Sequence, residues 1–535
     1  MNRIVLSVIS FFTFINFANA QQGFTVHVLP STITAAPAIH SGAFAEWNNK
    51  WIFIGGRIDG LHIMQANQAF PTYGRNDSVY VVDPVANTSV AAYVFQLPSY
   101  MAEALTSSNM QSYQNGQYLY MIGGYGKSDS LATHTTFPSL ISIDLDCLVN
   151  AVQSSSAINS CFRQVVDTNL AVSGGELEKI DSTYYLVFGH RFEGSYAINQ
   201  TILPFYQAYT NSIRKFSIND DGVNLSISNY TTITDTNNFH RRDYNLVPQY
   251  FPNREFGITA FGGVFQKNID RPYLTPIDIT STNVTHQSAF NQNLEQYTTA
   301  NLPVYDSLNN FMHTVFFGGM SLFTLDTTSM SLVQDTLVPF IKAITRVERD
   351  AAGNLTEYQM PEQMPGFLGS NSFFIADHSA SYYDAGIVNL NNLSGNTRVG
   401  YIVGGIRSDA ENIASLDPSG MSRPNATVYE VYVDKTIDNV QDLAVRNDIN
   451  NLLVYPNPVS NTMYLDFTLL NSGKCDVSLY SLQGALVRKL YSENRDKGDV
   501  HLKMHTSGIS KGVYFCMIKS EKSVKLVKVI INSGE

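Results

Sequence analysis

The chain has 535 residues, of which 44% are hydrophobic, 15% charged and 12% aromatic, with 30 Tyr and 31 Phe against 2 Trp. That length is too great for one small core, since a domain runs to roughly 150 residues, and the aromatic, charge-poor composition favours strands and turns over surface helices. A formal net charge of −11 excludes a general affinity for nucleic acid or anionic lipid.

Residues 1–20 read MNRIVLSVISFFTFINFANA: one positive charge at Arg3, an apolar run, then Ala18-Asn19-Ala20. This is the pattern of a secretory signal peptide cut before Gln21. No later stretch reaches the ~18–20 apolar residues of a spanning helix, so an exported chain without a transmembrane segment is expected.

From Phe24 onward one pattern recurs. An apolar strand ends in Gly-Gly at 55–56, 123–124, 262–263, 318–319 and 404–405, as in WIFIGGR, LYMIGGY and GYIVGGI. The wide interval between the second and third doublets holds a degenerate copy, TYYLVFGHRF (183–192), with His190 in place of the second glycine. Six units result. In most, a polar or small-residue strand and a turn (EWNNK, YQNGQ, FPNRE) precede the apolar strand. A long variable stretch and an alternating strand such as VYVVDP (79–84) or VYEVYV (428–433) follow it. Asn-, Asp- and Gly-containing turns between apolar runs are hairpin signals, and a fixed period of four-strand units is the signature of a β-propeller. The glycines then have a physical purpose: a side chain there would collide with the backbone of the adjacent unit. The last unit lacks an outer strand, and FTVHVLP (24–30) is expected to supply it, closing the ring and covering an edge. An ordinary β-sandwich with coincidental glycines is the competing fold.

These residues resemble the Kelch-type propellers over about residues 24–435. The Tyr and Trp that follow Gly-Gly in standard Kelch units are mostly missing, and the units exceed the usual ~50 residues. The resemblance therefore implies the fold and no functional subgroup.

The exported chain has four cysteines, and export permits disulfides. Cys147 and Cys161 bracket the polar stretch LVNAVQSSSAINS, and a local disulfide pinning a loop is expected; loop entropy would make it worth roughly 3 kcal/mol. Cys475 and Cys516 alternate in step with apolar neighbours and should face inward, either as thiols or as a disulfide. No Cys/His spacing resembles a zinc site.

Beyond a polar linker at 436–450 the charge changes sign: residues 451–535 carry +4 and the rest of the chain −15. Alternating strands with Pro/Asn/Gly turns predict a small β-sandwich of Ig-like type over 451–535. This segment closely resembles the C-terminal sorting domain (type A) of the type IX secretion system. The matching residues are Tyr455-Pro456-Asn457-Pro458 with Asn461, Leu482-Gln483-Gly484, Gly512-Val513-Tyr514 and Lys525-Leu526-Val527-Lys528. The resemblance implies the type IX machinery as partner, and delivery by Sec export and type IX secretion to the outer-membrane surface or the medium. It also implies that the sorting domain is then removed.

Candidate chemistry in the main body is sparse. Polar residues upstream of the doublets are His40, Glu103, Glu176, Arg242 with Asp243, Asp306, and Asp377 with His378. Downstream stand Arg57, Tyr125, His190 with Arg191, and Arg407. One ring could hold both carboxylates and cations, and paired carboxylates with His could do acid–base work; hydrated or ion-paired channel groups are the plainer reading. In HRRDY (240–244) an arginine pair could clamp a carboxylate or sulfate, or form salt bridges between units. Asp377-His378 could be a general-base pair, or, by analogy with His40, a packing element. Sialidase boxes, a copper site with Cys beside Tyr, a Walker loop, His-Glu-x-x-His and Gly-x-Ser-x-Gly are all missing, and no cofactor or metal is implied.

Two functions fit. The first is a binding module for protein or glycan, using Arg57, Tyr125, Arg191 and Arg407. Aromatic residues of the long stretches (57–78, 125–138, 191–212, 407–427), such as Tyr73, Tyr196, Phe205, Tyr206 and Tyr209, would assist it. The second is a carbohydrate-active hydrolase or lyase, in which Arg242, Asp377 and His378 converge in a channel. Fold alone does not choose between them.

Overall fold

The computed structural model describes residues 23–62, 69–195, 205–326, 331–413, 420–435, 443–444, 448–481, 486–520 and 524–532. The expected leader at 1–20, most of the expected linker at 436–450, Tyr196 and Gly484 lie outside them.

The chain is all-β. Consecutive units of the first 435 residues fold as antiparallel meanders whose strands follow one another in space as in sequence. The first sheet is Ala43–Trp47, Lys50–Ile54, Ser78–Asp83 and Thr88–Tyr93. The first and second strands of the next five are Gln111–Asn115 and Tyr118–Ile122, Glu176–Ile180 and Thr183–Val187, Asn245–Tyr250 and Phe256–Phe261, Asn301–Asp306 and Phe311–Phe317, and Ser372–Ala376 and Asn396–Gly404. Thr25–Pro30 pairs antiparallel with Tyr429–Asp434, Thr25 opposite Asp434, and so forms the outer strand of the last sheet.

Buried apolar residues explain why the second strands read apolar on both faces. Ile52 and Ile54 pack with Leu119 and Met121 between the first and second sheets. Ile122 and Leu186 join the second and third, Val187 and Ile258 the third and fourth, and Phe261 and Phe316 the fourth and fifth. Val315 and Ile402 join the fifth and sixth. Trp51 and Phe53 then pack with Ile375 and Val403, taking the sixth sheet back to the first. Each second strand is thus covered on both sides by neighbours.

The glycine doublets sit at these seams. Gly123 has φ +69°, and a Cβ built on it would lie 1.9 Å from the Val172 carbonyl oxygen of the next unit. Only glycine allows that approach. The amide of the following Gly124 donates to the same carbonyl at 2.8 Å. The pattern recurs in Gly56 to Ser107, Gly189 to Arg241, Gly319 to Leu368 and Gly405 to Ile39, the last again linking the final unit to the first. Gly189 is thus the second position of the degenerate doublet and Phe188, at φ 47°, the first, so His190 follows the doublet and does not replace its second glycine.

Three features depart from the sequence reading. The stretch between Cys147 and Cys161 is not simply a loop: Leu145–Gln153 is a helix, N-capped by Asp144 and burying Leu145, Leu148, Val149 and Val152. The disulfide Cys147–Cys161 therefore ties this helix to the strand that follows it. The long variable stretches carry two-stranded hairpins, such as Tyr125–Ser128 with Thr133–Thr136 and His190–Glu193 with Tyr206–Tyr209. The fifth sheet has six strands, extended by Val388–Asn389 and Leu443–Ala444.

Residues 449–531 form two further sheets. One orders Ile449–Tyr455, Thr462–Leu469 and Gly498–His505; the other Leu486–Arg495, Gly473–Ser481, Gly512–Lys519 and Val524–Ile531. Met463, Leu465 and Phe467 of the first share a core with Val477, Leu479 and Ile518 of the second. Cys475 and Cys516 are buried there as thiols, and burial pushes them up to about 11 and about 12, so neither is a reactive thiolate.

Candidate functional site

The first strands of all six sheets border one cavity of about 510 Å³, lined among others by Glu46, Ser112, Glu178, Asn245, Asn301 and Phe374. We refer to it as the channel. A second cavity, the funnel, of about 180 Å³, lies where the chain enters those strands and leaves the doublets. Its walls include Phe70, Tyr125, Phe192, Phe265 and Tyr297, with Arg57, Arg242, His40 and His190 among them.

The two cavities share Ser41, Asn109, Asp243, Thr298 and Asn371. These residues, with Gly174, form a neck of backbone hydrogen bonds. Asn109 N donates to Ser41 O, Gly174 N to Asn109 O, Asp243 N to Gly174 O, Thr298 N to Asp243 O and Asn371 N to Thr298 O, at 2.6–3.4 Å. Ser41, Asn109, Asp243 and Asn371 hold φ of 52–57°, a left-handed conformation that Asn and Asp tolerate better than most residues. One residue further back, the chain bridges to the residue after each doublet: His40 with Arg57, Ser108 with Tyr125, Ser173 with His190 and Arg242 with Val264. The repeat itself therefore sets these side chains around one opening.

Charge in the funnel is matched locally. The Arg57 guanidinium pairs with Asp59, Nε to Oδ1 at 2.7 Å, donates to the Pro71 carbonyl at 3.0 Å and lies over the Phe70 ring. Arg242 Nε donates to Asp243 Oδ2 at 3.1 Å, and its guanidinium lies over Phe265. Burial lowers His40 to about 4, with Asp59 opposing, and holds His190 well below the usual imidazole range, with Arg242 adding to the effect. Both imidazoles are neutral at pH 7. His190 Nδ1 faces Gln207 Nε2 at 2.8 Å and the Arg242 guanidinium at 3.4 Å; both partners are donors, so Nδ1 is the acceptor and Nε2 carries the proton. Tyr125 donates to the Gly194 carbonyl at 2.7 Å and packs edge-on against Phe70 and Phe192.

The channel is different. Burial pushes Glu176 up to about 8, reinforced by Glu178 and Asp243, and Glu178 up to about 7. Burial also raises Glu46, against His378. No arginine or lysine is among the residues lining this cavity.

The structure brings together Arg57, Tyr125 and Arg242, and adds His40 and His190. It does not bring Arg242 to Asp377 and His378. His378 is exposed at the border of the channel, with Nε2 3.0 Å from Glu46 Oε2. Asp377 accepts from Arg398 Nε at 2.7 Å and from Ser379 N at 2.9 Å, so Asp377 and His378 have separate partners and form no Asp–His pair. The analogy between His378 and His40 also fails, because Ile406 N bonds to Ser370 O and Ser370 is the last unit's counterpart of His40. The single ring of polar groups is split further. Glu103 is buried, accepting from Ser128 Oγ at 2.8 Å; Asp306 caps a turn through the amides of Leu308 and Asn309. Arg191 pairs with Glu193 on an exposed hairpin, and Arg407 is exposed on the strand Ile406–Ser408. In HRRDY, Arg241 makes no bridge between units: fully buried, it donates to the carbonyls of Asn238, Gly262 and Thr275.

Of the aromatic residues singled out in the long stretches, Phe205 stacks on Phe192 and Tyr209 on His240, whereas Tyr73 and Tyr206 are exposed. Phe70, Phe192, Phe265 and Tyr297 had no signal in the repeat, because each belongs to a segment that varies between units.

The tail residues are placed by one clamp. Asn457 Nδ2 donates to Lys528 O at 2.8 Å and its Oδ1 accepts from Ile530 N at 2.9 Å, joining the Tyr-Pro-Asn-Pro segment to the last strand. Tyr455 donates to Asp466 and stacks on Tyr464; Tyr514 donates to Ser510 O. Pro456 and Pro458 flank the clamp and are exposed, and Gly512 opens its strand. Residues 453–532 match the secretion system C-terminal sorting domain. The protein is thus exported through type IX secretion to the cell surface or the extracellular space, and its sorting domain engages the secretion machinery. No helix among the described residues is long and apolar enough to cross a membrane.

No curated protein matches the chain significantly. Among solved structures, one described as “Structure of YjhT” is similar at 10% identity, covering 71% of this chain and 94% of its own, with a TM-score of 0.41. A fungal alcohol oxidase of the AA5 family, in complex with copper, is similar at 9% identity, covering 96% of this chain and 100% of its own, with a TM-score of 0.38.

Proposed function

We propose that residues 21–435 form a six-bladed Kelch-like β-propeller, joined by a linker at 436–450 to an Ig-like sorting domain at 451–535, and that the propeller is a glycan-binding module whose site is the funnel. Residues 1–20 are then the signal peptide. The carrying observation is the funnel's make-up. Rigid aromatic walls are interleaved with polar groups already held by partners, and a few fixed polar groups among apolar ones are what small-ligand sites use for orientation. Arg57, Tyr125 and Arg242 belong to this site; Arg191 and Arg407 are not among its lining residues. In this reading the tail is an address, removed after passage, and the cargo is anchored or released.

The alternative, a hydrolase or lyase acting in the channel, needs an acid and a base around a common point. Arg242, Asp377 and His378 do not supply one, since their partners and cavities differ. The test is a glycan array with the purified full chain, run beside an assay for breakdown of the same glycans. Binding without breakdown is expected. Breakdown would replace the binding reading with the enzymatic one, and silence in both would leave a protein ligand.

A further inference from the structure

We infer that a third cavity, between the tail and the main body, binds a small organic phosphate monoester through Lys525 and Arg271. This site shares no lining residue with the funnel or the channel and stands apart from the glycan reading.

The cavity has about 800 Å³. The tail forms one wall, with Leu452 and Lys525; the fourth and fifth units form the other, with Arg271, Asn291, Phe323 and Gln334. The whole chain carries −11, yet the lining residues include two cations and no Asp or Glu. Lys525 is the decisive side chain. It lies on Val524–Ile531, is 6% exposed, and sets its ammonium 4.0 Å from the centroid of the Phe323 ring. Its Nζ is not sealed from solvent, yet has no hydrogen bond or ion pair among the described residues. Arg271 is exposed, likewise without an ion pair among the described residues, and within electrostatic reach of Lys525. Burial lowers Lys525 to about 7, and Arg271 adds to the effect. A buried cation destabilises a fold unless it is paired, and the Phe323 face offsets part of that cost without neutralising the charge. Methionine would pack there without it. An anion between Lys525 and Arg271 supplies the missing partner.

Charge and size select the class. A phosphate monoester carries about −1.5 to −2 at pH 7 and balances two cations, whereas a monocarboxylate balances one. Arginine meets phosphate through a planar fork and lysine as a point charge. Pockets for small organic ligands run to roughly 300–1,000 Å³, so 800 Å³ has room for the organic part of the ester as well as its phosphate. Asn291 and Gln334, whose side chains carry no hydrogen bond among the described residues, are left to meet hydroxyls on that part. Since the tail is one wall, the bound ester bridges tail and body.

The test is calorimetric titration of the full chain with glucose 6-phosphate at pH 7 and pH 8.5, with glucose, inorganic phosphate and succinate beside it. Glucose 6-phosphate should bind and glucose should not. Affinity should fall about tenfold between the two pH values, because Lys525 loses its proton while the phosphate keeps its charge. Arg271 is the only charged group among the described residues that acts on Lys525, and a guanidinium stays charged throughout; Tyr273, the remaining titratable lining residue, has its phenol raised by burial. Lys525→Met and Arg271→Gln should each weaken binding about tenfold or more. Lys525→Met should also remove the pH dependence and leave the melting temperature unchanged or higher, a combination that a purely structural lysine would not produce. Binding of glucose 6-phosphate that survives both substitutions overturns the assignment of the two residues. Binding of glucose overturns the anion chemistry, binding of succinate alone overturns the phosphate, and binding of inorganic phosphate alone overturns the organic ester. Silence from all four overturns the site.

Discussion

At the funnel each cation stands beside a carboxylate and each histidine is neutral; in the channel, carboxylates line the wall with no cation among the lining residues. The funnel keeps its charges as ion pairs, so its polar groups are oriented before any ligand arrives. The channel disposes of charge by protonation instead, Glu176 and Glu178 reaching about 8 and about 7 through burial. The difference teaches where to look for function. Fixed dipoles and rigid rings are prepared for a ligand, whereas carboxyls that hold their protons mark a wall from which charge has been withdrawn. The neck that separates the two compartments is where the comparison is most easily broken.

The largest effect is expected at the seam between units, behind that neck. Gly123→Ala places a Cβ 1.9 Å from the Val172 carbonyl oxygen, at a left-handed φ. The backbone cost and the overlap together should exceed about 3 kcal/mol. Gly116, also at positive φ but with nothing within 4 Å of a built Cβ, should cost only about 1 kcal/mol as Ala. Thermal unfolding of both variants checks the difference; equal losses would mean that conformation alone, and not the approach of the next unit, requires the doublet.

Next comes the funnel pair. Arg242→Ala leaves Asp243 without its guanidinium. Removing one partner of a buried pair costs about 3–5 kcal/mol, at the low end here because Asp243 is already raised by burial and can take a proton. Arg242→Ala with Asp243→Asn should recover part of that stability and none of the glycan affinity. Recovery of both would mean that Arg242 serves the fold only.

These two sites also show what the sequence made legible. The repeat carried the order of the sheets because the second position of the doublet bonds to the next unit at five of the six seams, Gly262-Gly263 being the exception. Arg57, Tyr125 and Arg242 were visible for the same reason, standing next to the doublet or next to the neck. Tyr297, Phe70 and Phe265 were not, since they come from segments whose length and content change from unit to unit. The polar stretch after Cys147 hid a helix because the helix begins ahead of the cysteine, at Leu145, and ends at Gln153, leaving the largely polar residues 154–160 to dominate the stretch. Asp377 and His378 misled because adjacency in sequence suggests a shared role, whereas their side chains reach Arg398 and Glu46 on different strands. The tail was read from its motif, and the Asn457 clamp supplies the reason for the asparagine; that Lys525 lies over Phe323 of the main body, 4.0 Å from the ring centroid, had no counterpart in the motif.

A smaller effect is expected from the channel carboxyls. Glu176 and Glu178 have folded-state affinities for protons raised above the ordinary glutamate value of 4.5. For such groups the stabilising contribution is complete below that value and is lost as pH rises through 7 and 8. The wild type should therefore lose stability between pH 5 and pH 9, on the order of 2 kcal/mol after allowing for water in the channel. Glu176→Gln with Glu178→Gln should flatten that slope and leave funnel binding unchanged. Denaturant melts at pH 5, 7 and 9 give the slope directly. A slope that survives both substitutions would place the titrating groups elsewhere.

The smallest effect is expected at the far edge of the channel, and it bears hardest on the assignment of function. The His378 side chain is 71% exposed and its partner Glu46 24% exposed, so their contact is a surface ion pair of about 0–1 kcal/mol. His378→Ala removes the imidazole that opposes the rise of Glu46, and Glu46 then holds its proton to higher pH. Glycan affinity at the funnel should not move, because no funnel residue contacts His378. If His378→Ala abolished binding or any glycan breakdown while the melt stayed intact, the working end of the molecule would be the channel, and carboxyls that burial keeps protonated near neutral pH would become candidates for a general acid rather than by-products of packing.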